Sequence, residues 1–262
     1  MASVQQFANV TSQQVGEGFL FVDRSQKSGN FAPYSVAWNL AVDHTLSRSL
    51  ALRVKYLQSF ARDMITLQPQ QITNQNALVL GSSGSAQTRQ FEFTAKVGAV
   101  SNRQFYFSYV RQYARGTLSD AENYLGETPF PVVRQGLVAS LPSEIPNRFL
   151  LWGTYSLPHK FQLMPHVEVR NGFPYQATNG LQQYVLMNGP QSRYPRYFSM
   201  DIRVSKEIPL AKKHVVRLSA TILNLTNHFN PLEVHSNFAD PLYGTFFGNY
   251  GRKLVVDFDV LH

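Results

Sequence analysis

The sequence predicts an all-β fold, namely an antiparallel, up-and-down segment of a transmembrane β-barrel. About ten strands are expected, with short periplasmic turns and long extracellular loops. Three observations predict this fold: apolar and polar residues alternate, several alternating stretches are long, and short and long connections follow each other along the chain. Period-two alternation gives a strand two unlike faces. A stretch of about ten residues spans a bilayer when tilted.

The composition is compatible with this fold and excludes several others. Of the 262 residues, 44% are hydrophobic and only 15% are charged, below the usual quarter of a soluble domain. No apolar run is long enough for a transmembrane helix. The absence of cysteine excludes disulfides, thiolate zinc sites and cysteine nucleophiles. The net charge of +8 comes from dispersed residues, the densest cluster being Lys212-Lys213-His214, so no nucleic-acid surface is predicted.

Alternation identifies the strands in order. It is clearest at 212–224, where Val216, Leu218, Ala220 and Ile222 oppose Arg217, Ser219 and Thr221. Aromatic residues near many strand ends fit the interfacial girdles of a membrane barrel. The predicted strands lie near 18–25, 33–46, 49–66, 87–100, 103–115, 148–157, 160–172, 196–207, 211–224 and 250–261.

Connection lengths orient these strands. Short links are predicted at Ser47-Arg48, Ser101-Asn102, Pro158-His159 and Pro209-Leu210, long ones at 67–86, 116–147, 173–195 and 225–249, and an intermediate one at 26–32. Short periplasmic turns and long external loops would leave the C-terminus in the periplasm. Within 67–86, Gly81-Ser82-Ser83-Gly84-Ser85 is expected to be a flexible loop. Pro165 falls inside a strand, where a bulge or a missing ladder bond is required.

The last strand and the region before it carry a family resemblance. Leu254, Val256, Phe258 and Val260 alternate with Asp257 and Asp259. Upstream lie Arg196-Tyr197-Phe198-Ser199-Met200-Asp201-Ile202-Arg203-Val204-Ser205-Lys206 and Ala220-Thr221-Ile222-Leu223-Asn224-Leu225-Thr226-Asn227-His228-Phe229-Asn230-Pro231. These residues resemble the C-terminal barrel strands of TonB-dependent receptors of the Oar-like kind, which carry a carboxypeptidase-regulatory-like domain. The resemblance is good over 147–262 and weaker over 33–146.

The resemblance implies a location, partners and a function. Members of this family resemble 22-stranded barrels with a plug domain in the lumen, in the outer membrane of a Gram-negative-type bacterium. It implies contact with outer-membrane lipid and lipopolysaccharide, recognition of the last strand by the barrel assembly machinery, and a plug and TonB as partners. It also implies binding or uptake of an external solute. The final strand of such barrels usually closes on an aromatic residue, where this chain has His262.

The N-terminus reads Met-Ala-Ser-Val-Gln-Gln-Phe and lacks the basic and apolar regions of a secretory signal. Because an outer-membrane barrel must be exported, the sequence is expected to be the tail of a longer precursor. Residues 1–17 are then an irregular lead-in, and residues 18–262 a partial barrel. No plug and no TonB box are recognisable in the chain.

Charged residues on the polar sides of the strands are expected to face the lumen, because an Arg or Lys in mid-membrane hydrocarbon costs about 2–4 kcal/mol. They would form an ion-paired wall or contact a plug or ligand. The expected lumen-facing residues are Arg53, Lys55, Glu92, Lys96, Glu168, Arg170, Asp201, Arg203 and Arg217. Candidate ligand-binding residues in the last external loop are Tyr243, Phe246, Phe247 and Tyr250.

Other readings remain open at this stage. Asp43-His44, His228 and the loop set Glu233, His235 and Asp240 could suggest acid-base or metal chemistry, but no catalytic, metal or cofactor-binding residue is assigned, and no enzyme is expected. The chain could instead be a stand-alone ten-stranded barrel, either a rim protease or porin-like, or a soluble β-sandwich binding module. Pairing of 18–25 with 250–261 would indicate a complete small barrel. The transported ligand cannot be read from the sequence.

Overall fold

The computed structural model describes residues 19–21, 32–72, 75–98, 103–118, 138–178, 191–211 and 214–261. In this part of the chain, no helix is long and apolar enough to cross a membrane. The strands are β1 (Phe19–Phe21), β2 (Tyr34–Ser47), β3 (Leu50–Ile72), β4 (Gln75–Val97), β5 (Arg103–Thr117), β6 (Val138–Ser140), β7 (Asn147–Leu157), β8 (Phe161–Arg170), β9 (Tyr197–Ala211), β10 (His214–Leu223), β11 (Glu233–Val234), β12 (Phe246–Phe247) and β13 (Lys253–Leu261).

Long strands pair in chain order to form one antiparallel sheet, as predicted. The order is β2-β3-β4-β5-β7-β8-β9-β10-β13, with β1 attached to β4 and β6 attached to β5. Among the described residues, β2 pairs only with β3 and β13 pairs only with β10. The sheet therefore has two open edges, and the closure expected of a complete small barrel is not formed here.

The register divides the sheet into two chemically distinct faces. On one face, called the apolar face, lie Trp38, Val54, Phe93, Phe107, Leu151, Val167, Ile202, Leu218 and Phe258 with their neighbours two residues away. On the other, called the polar face, lie Asp43, Arg53, Thr94, Ser108, Glu168, Asp201, Ser219 and Asp257 with theirs. The apolar face is uncovered: Phe258 is 73% exposed and Leu40 is 63% exposed.

The prediction that 18–25 is the first strand of the up-and-down sheet order is wrong. Its described part, Phe19–Phe21, pairs in parallel with Asn76, Ala77 and Leu78 of β4. At that level β4 is paired with β3 on its other side, whereas β5 pairs with β4 only from Ala86 onward. The upper part of β4 therefore has a free edge, and β1 occupies it.

The long loop predicted at 67–86 is also wrong, because β3 and β4 continue as a paired hairpin as far as Ile72 and Gln75. Register shifts between Ala61 and Thr66 mark where the hairpin departs from the regular ladder, with Asp63 at a φ of 55°. Gly84 lies opposite this irregularity, and a Cβ there would approach the Thr66 Cγ2 to 2.8 Å. Gly84 thus allows β4 to pack closely against Met64 and Thr66 of β3 within a strand.

The predicted turn at Pro209-Leu210 is displaced. Both residues lie inside β9, which continues to Ala211, and Pro209 pairs with Val215 beside a register shift. Ser47-Arg48 is confirmed as a short connection, and Pro158–Lys160 forms a single 3-10 turn with His159 at a φ of 60°. The link at Ser101-Asn102 and residues Lys212 and Lys213 lie outside the described residues.

Pro165 behaves as the sequence predicts. The pairing between β7 and β8 lapses at Gly153 and Thr154, opposite Pro165 and Met164, and resumes in the same register at Tyr155 and Leu163. On the other side, Pro165 stays in register with Ile202. A missing ladder contact, rather than a shift of register, accommodates the proline, so the two faces keep their identity through this point.

The Asn-Leu-Thr-Asn corner after β10 reverses the chain through two left-handed residues, Asn224 and Asn227, with φ of 48° and 53°. The Asn224 side chain is buried; its Nδ2 donates to the carbonyl oxygens of His228 and Tyr250, at 2.9 and 2.7 Å. Its Oδ1 accepts from the His228 N–H at 3.0 Å, and its own N–H donates to Asp201 Oδ1 at 2.8 Å. One side chain therefore fixes the start of the last external loop and the approach to β13.

Replacing Asn224 with Ala should lower the free energy of unfolding by about 2–4 kcal/mol, because three buried hydrogen bonds are lost and a left-handed conformation is imposed on Ala. The measurement is the urea midpoint of protein refolded into detergent micelles. Thr226→Ala is the matched control in the same corner and should change stability by less than about 0.5 kcal/mol. Equal losses in the two variants would contradict the role assigned to Asn224.

Candidate functional site

The polar face gathers the charged residues that the sequence singles out. The register puts all nine on this one face: Arg53, Lys55, Glu92, Lys96, Glu168, Arg170, Asp201, Arg203 and Arg217. That the face lines a lumen remains a proposal, taken up below. Four of their ion-pair partners lie on the same face but were not among the expected lumen-facing residues: Asp43, Arg148, Glu207 and Asp257. The signal that could have found them is their position in the alternation of polar and apolar residues along their strands.

Ion pairs tie neighbouring strands together across the polar face. Glu168 accepts from Arg148 Nε at 2.9 Å and lies 3.1 Å from Arg170 Nε. Arg203 contacts Asp257 Oδ1 at 2.6 Å and donates to the Ser219 hydroxyl at 2.9 Å, although Ser219 belongs to the strand between them. Pairs Arg217–Glu207 and Arg53–Asp43 lie at 2.6 and 2.9 Å. The face is therefore a nearly charge-balanced wall whose neighbouring strands are joined by ion pairs.

Asp201 links this wall to the external corner. Its Oδ1 accepts from the Ser199 hydroxyl at 2.7 Å and from the Asn224 N–H at 2.8 Å, while Oδ2 lies 3.5 Å from His166 Nδ1. A second buried amide, Asn230, bonds in both directions with the backbone of Phe198, at 2.8 and 3.1 Å. The start of β9 and the last external loop are consequently held as one unit.

At the external end of β8 and β9 the polar face opens into a cleft of about 410 Å³. Arg170 lies within it with its guanidinium carbon 4.3 Å from the Phe173 ring centre and 4.2 Å from that of Tyr197. Such cation–π stacking holds the side chain flat. The remaining lining residues are Pro142, Gly172, Pro174, Tyr175, Tyr194, Pro195, Asn230, Pro231, Leu232 and Tyr250.

Three connecting segments meet behind this cleft around a buried carboxylate. Glu144, 3% exposed, pairs with Arg193 Nη2, and its Oε1 accepts from the Ala114 N–H at 3.1 Å. Arg193 Nη1 also donates to the Gly172 carbonyl at 3.3 Å. A Cβ on Gly172 would lie 1.8 Å from the Tyr194 carbonyl oxygen, so only glycine permits this approach. Sequence reasoning missed this cluster, since its members are far apart in the chain.

Of the four candidate loop residues, the structure brings two towards the cleft. Tyr250 lines it, and Phe246 packs against Tyr194 and Tyr175, with ring centres 5.4 and 6.1 Å apart. Phe247 instead packs on His235, at 4.6 Å, and Tyr243 lies in a turn closed by its N–H to the Asp240 carbonyl. The predicted set therefore divides into a cleft pair and a loop-packing pair.

The residues that suggested acid-base chemistry have structural contacts. His235 Nδ1 lies 2.9 Å from Asp240 Oδ2, and Asp240 Oδ1 accepts from the Leu242 N–H at 2.8 Å. The pKa of Asp240 is lowered, first by that backbone hydrogen bond and then by His235. Asp43 and His44 are adjacent in β2 and so point to opposite faces. No group of three or more potential metal ligands occurs among the described residues.

Solved outer-membrane transporters share this architecture. The outer membrane transporter YddB from Escherichia coli matches 94% of this chain with a TM-score of 0.62 at 14% identity, over 34% of its own chain. The FrpB iron transporter from Neisseria meningitidis matches 92% with a TM-score of 0.56 at 12% identity, over 32% of its own chain. The ferric-catecholate import receptor Fiu from E. coli K12 matches 90% of this chain with a TM-score of 0.53 at 12% identity, over 30% of its own chain.

These matches confirm the predicted fold: the chain has the architecture of a segment of an outer-membrane receptor barrel. It spans about a third of the length of the transporters it matches. No family model and no curated protein matches the sequence. At these identities the likeness establishes the fold; two of these neighbours are transporters and the third is an import receptor.

Breaking the Glu144–Arg193 pair should cost far more stability than breaking an exposed pair. Arg193→Ala should lower the free energy of unfolding by about 3 kcal/mol, because it leaves a buried carboxylate uncompensated. The matched control Arg53→Ala breaks a pair whose side chains are 54% and 65% exposed, and should cost about 1 kcal/mol or less. Urea unfolding in micelles compares the two variants. Similar losses of stability would show that the burial of Glu144 does not determine the strength of its ion pair.

Ionisation of Tyr194 should loosen the cleft at high pH. Its pKa is raised, chiefly by burial and further by Glu233 and Tyr175. The neutral form is thus favoured by folding, so its stabilisation is complete below about pH 10, the ordinary tyrosine pKa, and is lost as pH rises through the higher folded value. Tyrosinate absorbance should show a late step that Tyr194→Phe removes. The control Tyr34→Phe should retain that step, and its survival in Tyr194→Phe would refute the assignment.

Proposed function

We propose that this chain forms part of the wall of a TonB-dependent receptor or transporter in the outer membrane of a Gram-negative-type bacterium. The polar face would line the interior, and the apolar face would contact lipid. The single observation that carries this proposal is that an ion-paired polar face lies opposite a predominantly apolar, uncovered face along all the long strands. The open edges at β2 and β13 would pair with further strands of a longer barrel.

The apolar face favours a membrane over the alternative of a soluble sandwich. A sandwich covers its apolar face with a second sheet, whereas the other described sheet is only the β11–β12 pair. Leu254, Val256 and Phe258 are 68%, 72% and 73% exposed. A stand-alone ten-stranded barrel is disfavoured because Phe19–Phe21 pairs with β4 rather than with β13.

The cleft at the external end of the polar face is the proposed contact with an external solute. It combines the stacked Arg170 with tyrosine hydroxyls and flat proline and aromatic surfaces, a lining suited to a solute with both polar groups and ring faces. Tyr250 and Phe246 contribute to the cleft or its support. A plug and TonB would act on solute held there, and the assembly machinery would recognise β13.

The face assignment can be tested with single cysteines, since the chain has none of its own. Phe93→Cys and Thr94→Cys change neighbours on β4 with opposite faces, one apolar and one polar. In protein refolded into lipid vesicles, a fluorophore attached to the Phe93→Cys variant should be quenched by brominated acyl chains. The same fluorophore on the Thr94→Cys variant should stay unquenched. Equal quenching, or a protein that remains monodisperse without detergent, would contradict the proposal.

A further inference from the structure

Four arginines break the apolar face at one place, the external part of β3, β4 and β5. Arg62 follows Phe60 on its face of β3, Arg89 follows Phe91 on β4, and Arg111 and Arg115 flank Tyr113 on β5. All four arginines are exposed. Register makes Arg89 a diagonal neighbour of both Arg111 and Arg115, since it pairs with Tyr113 between them. Diagonal neighbours lie within about 7–8 Å, so residues dispersed in sequence form one basic patch.

The charges of this patch are not balanced as those of the polar face are. Each of Arg53, Arg148, Arg170, Arg203 and Arg217 on the polar face has a carboxylate partner. Among the described residues, no ion pair involves the four patch arginines. Arg111 donates to Asn147 Oδ1 at 3.3 Å and Arg115 to the Val138 carbonyl at 3.4 Å, both neutral acceptors. The nearby carboxylate, Asp63, lies in the left-handed bulge after Arg62.

The height of the patch matches the edge of a bilayer. On the apolar face of β4, Val97, Ala95, Phe93 and Phe91 precede Arg89 from the short-turn end. At about 3.3 Å per residue and a tilt near 40°, Arg89 lies about 20 Å above Val97, and the level of Arg115 about 25 Å. An apolar band about 25 Å tall is typical of such barrels. Arg111, which pairs with Phe91, lies about 15 Å above Val97 by the same measure. The patch therefore extends from the upper part of the apolar band to its edge, where long arginine side chains can reach the headgroup level.

The patch is local to one sector and contains a cleft. At the same end of β8, β9, β10 and β13, the apolar face carries Val169, Phe198, Ile222 and Leu254. Between the arginines lies a depression of about 440 Å³, whose side-chain lining includes Phe60, Arg62, Gln87, Tyr113 and Arg115. It offers cations above an aromatic floor, the arrangement that suits an amphiphile with an anionic head.

We propose that this basic patch binds the phosphorylated headgroup of lipopolysaccharide in the outer leaflet, with its acyl chains lying along Phe91, Tyr109 and their apolar neighbours. Guanidinium groups match phosphate oxygens with paired, charge-assisted hydrogen bonds. The acyl chains would cover an apolar surface that continues directly below the cations. This inference rests on the proposed membrane placement, and it adds a specific lipid site to it.

The test uses the full chain refolded into neutral detergent micelles, with purified diphosphorylated lipid A as the probe. Retention of the lipid through gel filtration should fall about tenfold or more in Arg89→Gln/Arg115→Gln, in line with loss of two charge-assisted contacts. Arg103→Gln is the matched control, because it removes an arginine from the apolar face at the opposite end of β5. It should change retention by less than about twofold.

Competition identifies the ligand. Excess inorganic phosphate or zwitterionic phospholipid should not displace the lipid A, whereas dephosphorylated lipid A should bind poorly. Equal loss in Arg103→Gln, unchanged retention in the double variant, or full displacement by inorganic phosphate would each overturn the proposal. Fluorophore quenching in the Phe93→Cys variant is the independent check. If the fluorophore is quenched but lipid A does not bind, the membrane placement is supported and the lipid site is refuted.

Discussion

A fixed register across the long strands is the constraint on which the rest of the structure depends. Because side chains alternate with period two, a slip of one residue in any strand would move its charges to the apolar face. In hydrocarbon each misplaced arginine would cost about 2–4 kcal/mol. The register shifts at Thr45/Ser47 and His214/Val215 lie at strand ends, and the shifts between Ala61 and Thr66 lie in the middle of β3, where the pairing with β4 resumes as far as Ile72. Even Pro165 interrupts a ladder without changing its phase.

The external end is organised by buried polar side chains rather than by apolar packing. Asn224 and Asn230 fix the last loop to β9, and Glu144 with Arg193 joins the segments before β7 and after β8. Buried polar groups that are fully bonded impose a unique arrangement, because any alternative leaves them unsatisfied. The cleft around Arg170 and Tyr194 is therefore a supported cavity rather than a gap between independent loops.

Period-two patterning was sufficient to predict most of the long strands, the two faces and the placement of nine charged residues on one face, since each depends only on parity within a strand. It could not predict where hairpins end. Gly81-Ser82-Ser83-Gly84-Ser85 has the composition of a loop, yet pairing with β3 keeps it in a strand. Local alternation also could not predict contacts between segments that are far apart in the chain. Nothing in the sequence around Glu144 and Arg193 indicates that they pair. Arg62, Arg89 and Arg115 are dispersed in the sequence, and only the strand register brings them together. The dispersed positive charge of the sequence thus includes a local cluster in the fold.

The proposed wall requires this sheet to cross a bilayer with its strands tilted as in a barrel. Polarised infrared dichroism of the amide I band, recorded on oriented lipid multilayers containing the refolded chain, measures that tilt directly. For a barrel wall, we expect strands inclined by about 35–45° to the membrane normal. Strands lying parallel to the membrane plane, or a chain that washes out of the multilayers while still folded, would contradict it.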